Sequence, residues 1–254
     1  HEVVMDLSLL MLVLASAATI AGGYIINNFY DSEKDLINRP YKSKLDRLVS
    51  QNTKLSLYFV LNFTAVVMAS YVSFRAVIFF SVYIFGIWFY SHKLKRLPFI
   101  GNLTSAVLTI TPFFAIFMYY KNFEHVIFVH ASFLFLIISM RELTKDLENI
   151  KGDLVLNYQT IPVVYGENVS KVMLSILAFL TIIPTCFLMF HFHVGQMVYF
   201  FYSSVFLLGI FIILLWVSKT KTHYLILHNI LKIIIVAGVF SIMLINIDLL
   251  LNRI

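Results

Sequence analysis

One short stretch of this sequence carries polar side chains at a spacing that suits metal chemistry. In NNFYDSEKD, residues 27–35, Asn27, Asp31 and Asp35 recur at every fourth position. On a continuing helix these side chains fall within about 80° of one another, so the stretch predicts a row of oxygen donors. Like charges on one helix face repel each other, and a bound cation relieves that repulsion.

A second stretch, RELTKDLENIKGD at residues 141–153, shows the same periodicity. Its narrow stripe consists of Glu142, Asp146, Asn149 and Asp153. Oxygen-only ligands select a hard cation, and Mg²⁺ prefers one or two carboxylates completed by water and phosphate oxygens. If the two stripes face each other across a gap, they predict a magnesium-bound polyphosphate between them.

The elements that position these stretches are membrane helices. The 254 residues are 60% hydrophobic and only 13% charged, which is not typical of a water-soluble globule. A bilayer core of about 30 Å requires about 20 apolar residues per helix, and such runs occur repeatedly. We predict an all-α, polytopic membrane helix bundle with eight spans. They lie at residues 5–28, 55–73, 76–91, 103–120, 123–141, 170–190, 196–217 and 230–251.

Basic residues predict the orientation of these spans. Of the 19 Lys and Arg, all but Arg75, Lys121 and Arg253 lie in or beside the odd-numbered loops. The positive-inside rule therefore assigns those loops to the cytoplasm. Both acidic stretches lie at helix ends on that side, so we predict a multi-pass membrane protein whose active site faces the cytoplasm. We expect contact with membrane lipids and no nucleic-acid partner.

The two stretches resemble the aspartate-rich motifs of the UbiA superfamily of intramembrane prenyltransferases, which read approximately NDxxDxxxD and, in one branch, KDxxDxxGD. INRP at 37–40, YSHKLKRLPFIGN at 90–102 and TIPVVYG at 160–166 also resemble that family. The resemblance implies nine transmembrane helices around a central cavity, with the first motif on the second helix. Because that motif here ends the first apolar run, we expect residues 1–254 to form one prenyltransferase domain that lacks its N-terminal helix.

The resemblance implies that Mg²⁺ assists the ionisation of an allylic diphosphate in a water-poor cavity. The catalytic candidates, which are also metal ligands, are Asp31, Asp35, Asp146 and Asp153. Asn27 and Asn149 complete the predicted metal ligands, and Glu142 is a weaker candidate. Asn28 and Asn149 differ from the family pattern, since aspartate is common at both positions.

Cationic and phenolic groups are expected to complete a clamp around the diphosphate. The substrate-binding candidates are Arg39, Lys42, Tyr90, Lys93, Lys95 and Lys145. Lys145 lies off the acidic stripe of its helix.

The second motif and TIPVVYG most resemble the branch that transfers a geranylgeranyl group to a prenylglyceryl phosphate. The expected substrates are therefore an isoprenyl diphosphate and a membrane-associated lipid acceptor. One alternative is an aromatic prenyltransferase acting on a quinone precursor. An alternative of another class is a divalent-cation transporter, although transporter sites usually lie near mid-membrane at broken helices. The acidic stretches here lie at the membrane boundary instead.

Overall fold

A computed structural model describes residues 6–192 and 194–245, and this part of the chain is α-helical with no strand. Its α-helices are α1 (Leu7–Tyr30), α2 (Ser32–Asn38), α3 (Pro40–Asp46), α4 (Gln51–Val72), α5 (Phe74–His92), α6 (Ile100–Tyr120), α7 (His125–Val155), α8 (Ile161–Leu180), α9 (Ile182–Phe190), α10 (Val198–Val217) and α11 (Lys221–Ser241). Eight helical segments among these residues are long and apolar enough to cross a membrane. The predicted all-α fold with eight spans is confirmed.

The largest differences from the predicted spans occur where helices continue into charged sequence. The predicted span 123–141 belongs to α7, which runs on through the whole second motif to Val155. Helices α8 and α11 likewise begin nine residues before the predicted spans 170–190 and 230–251. Hydropathy detects only the lipid-spanning part of a helix, so a polar extension is missed. Residues 246–251 of the last predicted span lie outside the described residues.

The chain divides into two compact units. The first unit comprises residues 1–122 and 151–159, and therefore contains α1 to α6 and the C-terminal end of α7. The second comprises residues 123–150 and 160–254, and contains the remainder of α7 and α8 to α11. The first motif and the last residue of the second motif thus belong to the same unit.

Small residues allow close helix packing in the first unit. Ala15 of α1 packs in one core with Ala65 and Ala69 of α4, and all three are fully buried. Leu12 of α1 and Phe80 and Tyr83 of α5 belong to the same core. Between membrane helices, association depends on close van der Waals contact, because lipid and side chains are equally apolar. This packing holds α1, the helix that ends at the first motif, against its neighbours.

Large apolar side chains fill the core of the second unit. Phe133 of α7 meets the rings of Phe200 and Phe201 of α10 edge to face, with centroids 6.0 and 5.5 Å apart. Leu227 and Leu231 of α11 pack into the same core and are fully buried. The second unit therefore anchors the central part of α7 between α10 and α11.

Candidate active site

The first motif lies where α1 passes into α2. Asp31 separates the two helices, with φ −89° and ψ 2°. The helical hydrogen-bond pattern nevertheless continues: the Asp31 N–H donates to the Asn27 carbonyl at 2.9 Å, and the Asp35 N–H donates to the Asp31 carbonyl at 2.8 Å. The helical row expected from the sequence is thus preserved through a slight distortion at its middle residue.

Lys95 joins the first two members of this row. Its ammonium lies 2.7 Å from Oδ1 of Asp31 and donates to Oδ1 of Asn27 at 3.3 Å. Asn27 in turn donates from Nδ2 to Oδ2 of Asp31 at 2.9 Å. The Lys95 side chain is only 6% exposed and that of Asp31 is 16% exposed. A charge-assisted cluster of this kind is stronger than a surface ion pair because little water screens it.

A tight turn after α5 positions Lys95. The residue lies in a short 3₁₀ helix, Leu94–Arg96, and Gly101 at the start of α6 packs against it. A Cβ at Gly101 would lie 3.0 Å from the Leu94 carbonyl oxygen and 3.3 Å from the Lys95 Cα. The glycine in YSHKLKRLPFIGN therefore permits a close backbone approach that a larger residue would crowd. The ring of Tyr30 lies 5.9 Å from the Lys95 ammonium.

Asp35 is paired with a far more exposed lysine than Asp31 is. Its Oδ2 accepts a hydrogen bond from Lys42 at 3.4 Å, and the Lys42 side chain is 51% exposed. Lys42 also lies 3.9 Å from Asp46. Exposed pairs of this kind contribute little to stability, so Lys42 can leave Asp35 at small energetic cost. Arg39, also predicted to bind substrate, is half-buried between α2 and α3.

The end of the second motif meets the first motif within the first unit. Asp153 is fully buried and forms an ion pair with Lys34, whose side chain is 13% exposed. The Gly152 N–H donates to Oδ1 of Asn38 at 3.1 Å. A Cβ at Gly152 would overlap the Asn38 amide, so a larger residue there would have to displace that amide. These contacts fix α2 against the C-terminal end of α7.

Tyr158 lies beside the same cluster. Its ring is 4.9 Å from the Lys34 ammonium and 5.1 Å from the Arg96 guanidinium. The Arg96 carbonyl accepts a hydrogen bond from the Gln159 N–H at 2.9 Å. Burial raises the pKa of the Tyr158 phenol, and the nearby Asp31 carboxylate raises that pKa further. The phenol therefore stays protonated at neutral pH and remains a hydrogen-bond donor.

The other members of the second motif belong to the second unit. Asp146 is half-buried, whereas Asn149 is 4% exposed and donates from Nδ2 to the Lys145 carbonyl at 2.8 Å. Glu142 is buried, and its carboxylate pairs with Lys145 at 3.2 Å and Arg141 at 3.3 Å. Because two cations already neutralise Glu142, it remains the weaker metal candidate. The roles of Asp146, Asn149 and Lys145 stay predictions.

The structure distinguishes cations that the sequence treats alike. The sequence predicts that both Lys93 and Lys95 bind substrate, but Lys93 is exposed while Lys95 contacts the first motif. Tyr90, predicted to act beside them, is half-buried near the end of α5. Of the two lysines, Lys95 is therefore the better placed to contact a ligand at the first motif.

Sequence reasoning missed Lys34, Asn38, Gly152 and Tyr158 as contributors to this region. A glycine inside a helix destabilises it by about 1 kcal/mol relative to alanine, so Gly152 within a 31-residue helix is a usable signal of close packing. In the sequence Lys34 is only a topology-determining charge, and no local pattern indicates its pairing with Asp153.

Asn28, which differs from the family pattern, forms hydrogen bonds with Asp46 and Lys54. Its Nδ2 donates to Asp46 at 2.9 Å, and its Oδ1 accepts from Lys54 at 2.9 Å. It also lines a cavity of about 100 Å³ together with Asp35 and Asp46. The amide therefore connects a carboxylate to an ammonium, a role that an aspartate could not fill.

The UbiA prenyltransferase family model matches residues 2–225, which is most of the chain. The chain belongs to this family. With eight apolar spans in the part of the chain that the structure describes, this UbiA family member is an integral membrane protein.

Relatives and a solved structure extend this assignment. Digeranylgeranylglyceryl phosphate synthase from Pyrococcus furiosus is 34% identical over 169 residues, which cover 65% of this chain and 59% of that protein. The synthase of the same name from Methanobrevibacter smithii is 28% identical over 212 residues, covering 79% and 73%. A UbiA homolog from Archaeoglobus fulgidus, solved bound to GPP and Mg²⁺, has a TM-score of 0.68 at 13% identity, covering 93% and 88%. That likeness shows a shared fold.

The donor atoms of the first motif in this UbiA family member fit Mg²⁺. Asp31, Asp35 and Asn27 offer oxygen ligands, which a hard cation requires. Across residues 6–192 and 194–245, no group of three or more His, Cys, Asp or Glu side chains is placed to hold a metal ion. Mg²⁺ needs no such cage, because one or two carboxylates suffice when water and substrate phosphate oxygens complete its shell. Asn27, Asp31 and Asp35 would hold the ion.

Proposed function

We propose that this protein transfers a prenyl group from an isoprenyl diphosphate, preferably geranylgeranyl diphosphate, to a prenylglyceryl phosphate. The observation that carries the proposal is the cluster of Asn27, Asp31 and Lys95, in which metal-binding oxygens and a phosphate-binding cation are in direct contact. Family membership and the named synthases among the relatives support the activity and the acceptor class.

The proposed reaction breaks the bond between C1 of the prenyl group and the diphosphate oxygen, and the electron pair leaves with the diphosphate. The acceptor hydroxyl oxygen then bonds to C1, and its proton passes to solvent, which leaves an ether. Mg²⁺, when bound, neutralises the developing negative charge on the diphosphate. The first motif lies at the end of an apolar span, which limits the water that can capture the allylic cation.

Residues of the first unit have separate tasks in this scheme. Asp31 and Asp35 supply carboxylate oxygens toward the cation, and Asn27 adds a neutral oxygen. Lys95 holds Asp31 while no substrate is bound, and it is positioned to donate to a diphosphate oxygen when the substrate enters. The protonated phenol of Tyr158 is an additional hydrogen-bond donor beside Asp31.

We further propose that Asp146, Asn149 and Asp153 supply the second set of donors, and that the reaction takes place at the cytoplasmic face. The motif resemblance supports the donor assignment, and the distribution of Lys and Arg supports the orientation. Arg39, Lys42, Tyr90 and Lys93 are retained as secondary substrate contacts.

Membranes containing the protein should be incubated with radiolabelled geranylgeranyl diphosphate and, separately, a geranylgeranylglyceryl phosphate, a hydroxybenzoate or a naphthoate. We expect labelled ether lipid from the first acceptor only, and none after EDTA until excess Mg²⁺ is added back. Transfer to an aromatic acceptor alone would replace the proposed acceptor class. Mg²⁺-dependent ion flux without prenyl transfer would point to the transporter alternative.

A further inference from the structure

A second charged cluster lies wholly within the second unit. Its centre is the contact between Arg141 of α7 and His228 of α11, where the guanidinium Nε donates to the imidazole Nε2 at 3.3 Å. Nδ1 of His228 lies 3.1 Å from the carboxylate of Glu148. The side chains of His228 and Glu148 are 6% and 2% exposed. This buried pair belongs neither to the row of Asn27, Asp31 and Asp35 nor to the residues proposed to bind the diphosphate.

The direction of these hydrogen bonds fixes the state of the histidine. A guanidinium can only donate, so Nε2 of His228 must be the acceptor. The ring proton is then on Nδ1, and it is donated to Glu148. Both ring nitrogens are occupied, so His228 is not placed to act as a general base. Its task in this geometry is to hold Arg141 in one orientation.

Glu142 holds Arg141 from a second side and also holds Lys145. Its carboxylate lies 3.3 Å from Nη1 of Arg141 and 3.2 Å from Nζ of Lys145. The carboxylate side chain is 8% exposed, whereas Arg141 and Lys145 are 25% and 32% exposed. Arg141 and Lys145 are therefore accessible to a ligand, while the carboxylate that contacts both of them is buried. Among the described residues, the contacts of Arg141 use Nε and Nη1, and Nη2 takes part in none of them.

This arrangement suits a phosphate group. A guanidinium presents donors in a planar fork that matches phosphate oxygens, and the ammonium one helical turn away adds a second positive charge. Because His228 and Glu142 hold the guanidinium in place, less side-chain entropy is lost when an anion binds.

We propose that Arg141 and Lys145 bind the phosphate monoester of the acceptor lipid, with His228 and Glu142 as positioning residues. This inference rests on the proposed function and deepens it. In the proposed function the donor diphosphate is bound through the two acidic motifs and Lys95, so an acceptor that carries its own phosphate requires a separate cationic site. The carboxylate of a hydroxybenzoate or naphthoate also pairs with a guanidinium, so the inference is tested with the phosphorylated lipid and the same lipid without its phosphate.

The test uses the full chain in nanodiscs and measures equilibrium binding of labelled geranylgeranylglyceryl phosphate and of the same lipid without its phosphate. We expect the wild type to bind the phosphorylated lipid at least about tenfold more tightly. Arg141→Gln should remove most of that difference, and Arg141→Lys should retain part of it. Lys219→Gln is the matched control, because it removes one exposed cation of the same unit outside the cluster.

Kinetics on the same variants provide a second measurement. Arg141→Gln should raise KM for the phosphorylated acceptor about tenfold while KM for the prenyl diphosphate changes less than about twofold. An equal rise in both KM values would contradict the inference. If the wild type binds the phosphorylated lipid selectively but transfers no prenyl group, the proposed function fails and the phosphate site stands.

Competition by two other phosphate compounds shows which kind of phosphate the site binds. Inorganic phosphate should displace the acceptor only weakly, since it lacks the lipid chain. If phosphatidic acid in the nanodisc displaces the acceptor with equal affinity, the site belongs to bulk lipid headgroups and the acceptor assignment is overturned. Equal wild-type affinity for the two forms of the acceptor overturns it as well.

Discussion

The two charged clusters of this protein use similar groups in opposite ways. In the first unit, carboxylates form the row, and Lys95 neutralises Asp31 from an adjacent turn. In the second unit, cations form the accessible face, and Glu142 and His228 hold Arg141 from within the core. Under the proposed function, the first cluster offers oxygen to a metal cation, whereas the second offers N–H groups to an anion.

The choice of cation follows from this difference. Lysine is a compact point charge on a flexible stem, so Lys95 can exchange one acidic partner for another. The arginine guanidinium is planar and keeps its charge. In Arg141, His228 holds Nε and Glu142 holds Nη1. Under the proposed function, the cation that exchanges partners during the reaction is Lys95, and the cation that stays in place is Arg141. Substitutions in either cluster test this division.

The largest effect is expected from Asp31→Asn, which removes the carboxylate charge but keeps the shape of the side chain. We expect prenyl transfer to fall by about 10²–10³-fold, because the developing charge on the diphosphate loses its metal-mediated stabilisation. Turnover of labelled prenyl diphosphate measures the loss. Glu33→Gln is the matched control, since Glu33 is an exposed acid of the same segment. Equal activity of the two variants would contradict the assigned role of Asp31.

Lys95→Ala should have the next largest effect, about 10–100-fold on transfer, whereas Lys93→Ala should change it less than about twofold. The two lysines are two residues apart, but only Lys95 contacts Asp31. Steady-state kinetics with the prenyl diphosphate as varied substrate separates them. Similar losses in the two variants would show that this region acts by general positive charge.

Gly152→Ala should destabilise the protein by about 1–3 kcal/mol, because the new Cβ overlaps the Asn38 amide. The loss should appear as a lower unfolding temperature in detergent, together with weaker transfer. Gly209→Ala in α10 is the control: a Cβ there would have no neighbouring atom within 4 Å, so alanine should be neutral or slightly stabilising. Loss of stability in the control alone would contradict the proposed packing.

The smallest effect is expected from Asn28→Asp, which restores the residue common in the family. It places a second carboxylate beside Asp46, and Lys54 offsets only part of the repulsion. We expect a loss of about 0.5–1 kcal/mol in unfolding free energy. Adding Asp46→Asn to the same chain should restore the lost unfolding free energy, and a double-mutant cycle measures this recovery. Higher transfer activity in Asn28→Asp would mean that the native asparagine is a handicap.

Local sequence patterns predict part of this structure and not the rest. Apolar runs predict the spans, and fourfold spacing predicts the row of Asn27, Asp31 and Asp35, because both depend on residues close in sequence. The bond from Gly152 to Asn38 joins residues 114 positions apart, so periodicity could not predict it. Likewise, nothing local distinguishes Lys95 from Lys93, since their difference arises from the turn that Gly101 permits.

Binding of inorganic pyrophosphate to the purified full chain, with Mg²⁺ or with EDTA, tests the central claim most directly because it requires no acceptor. The account predicts saturable binding to the wild type in Mg²⁺, and binding weakened by at least about tenfold in EDTA or in Asp31→Asn. Equal affinity for the wild type and Asp31→Asn, with and without the metal, would contradict the assignment of the first motif as the magnesium-diphosphate site.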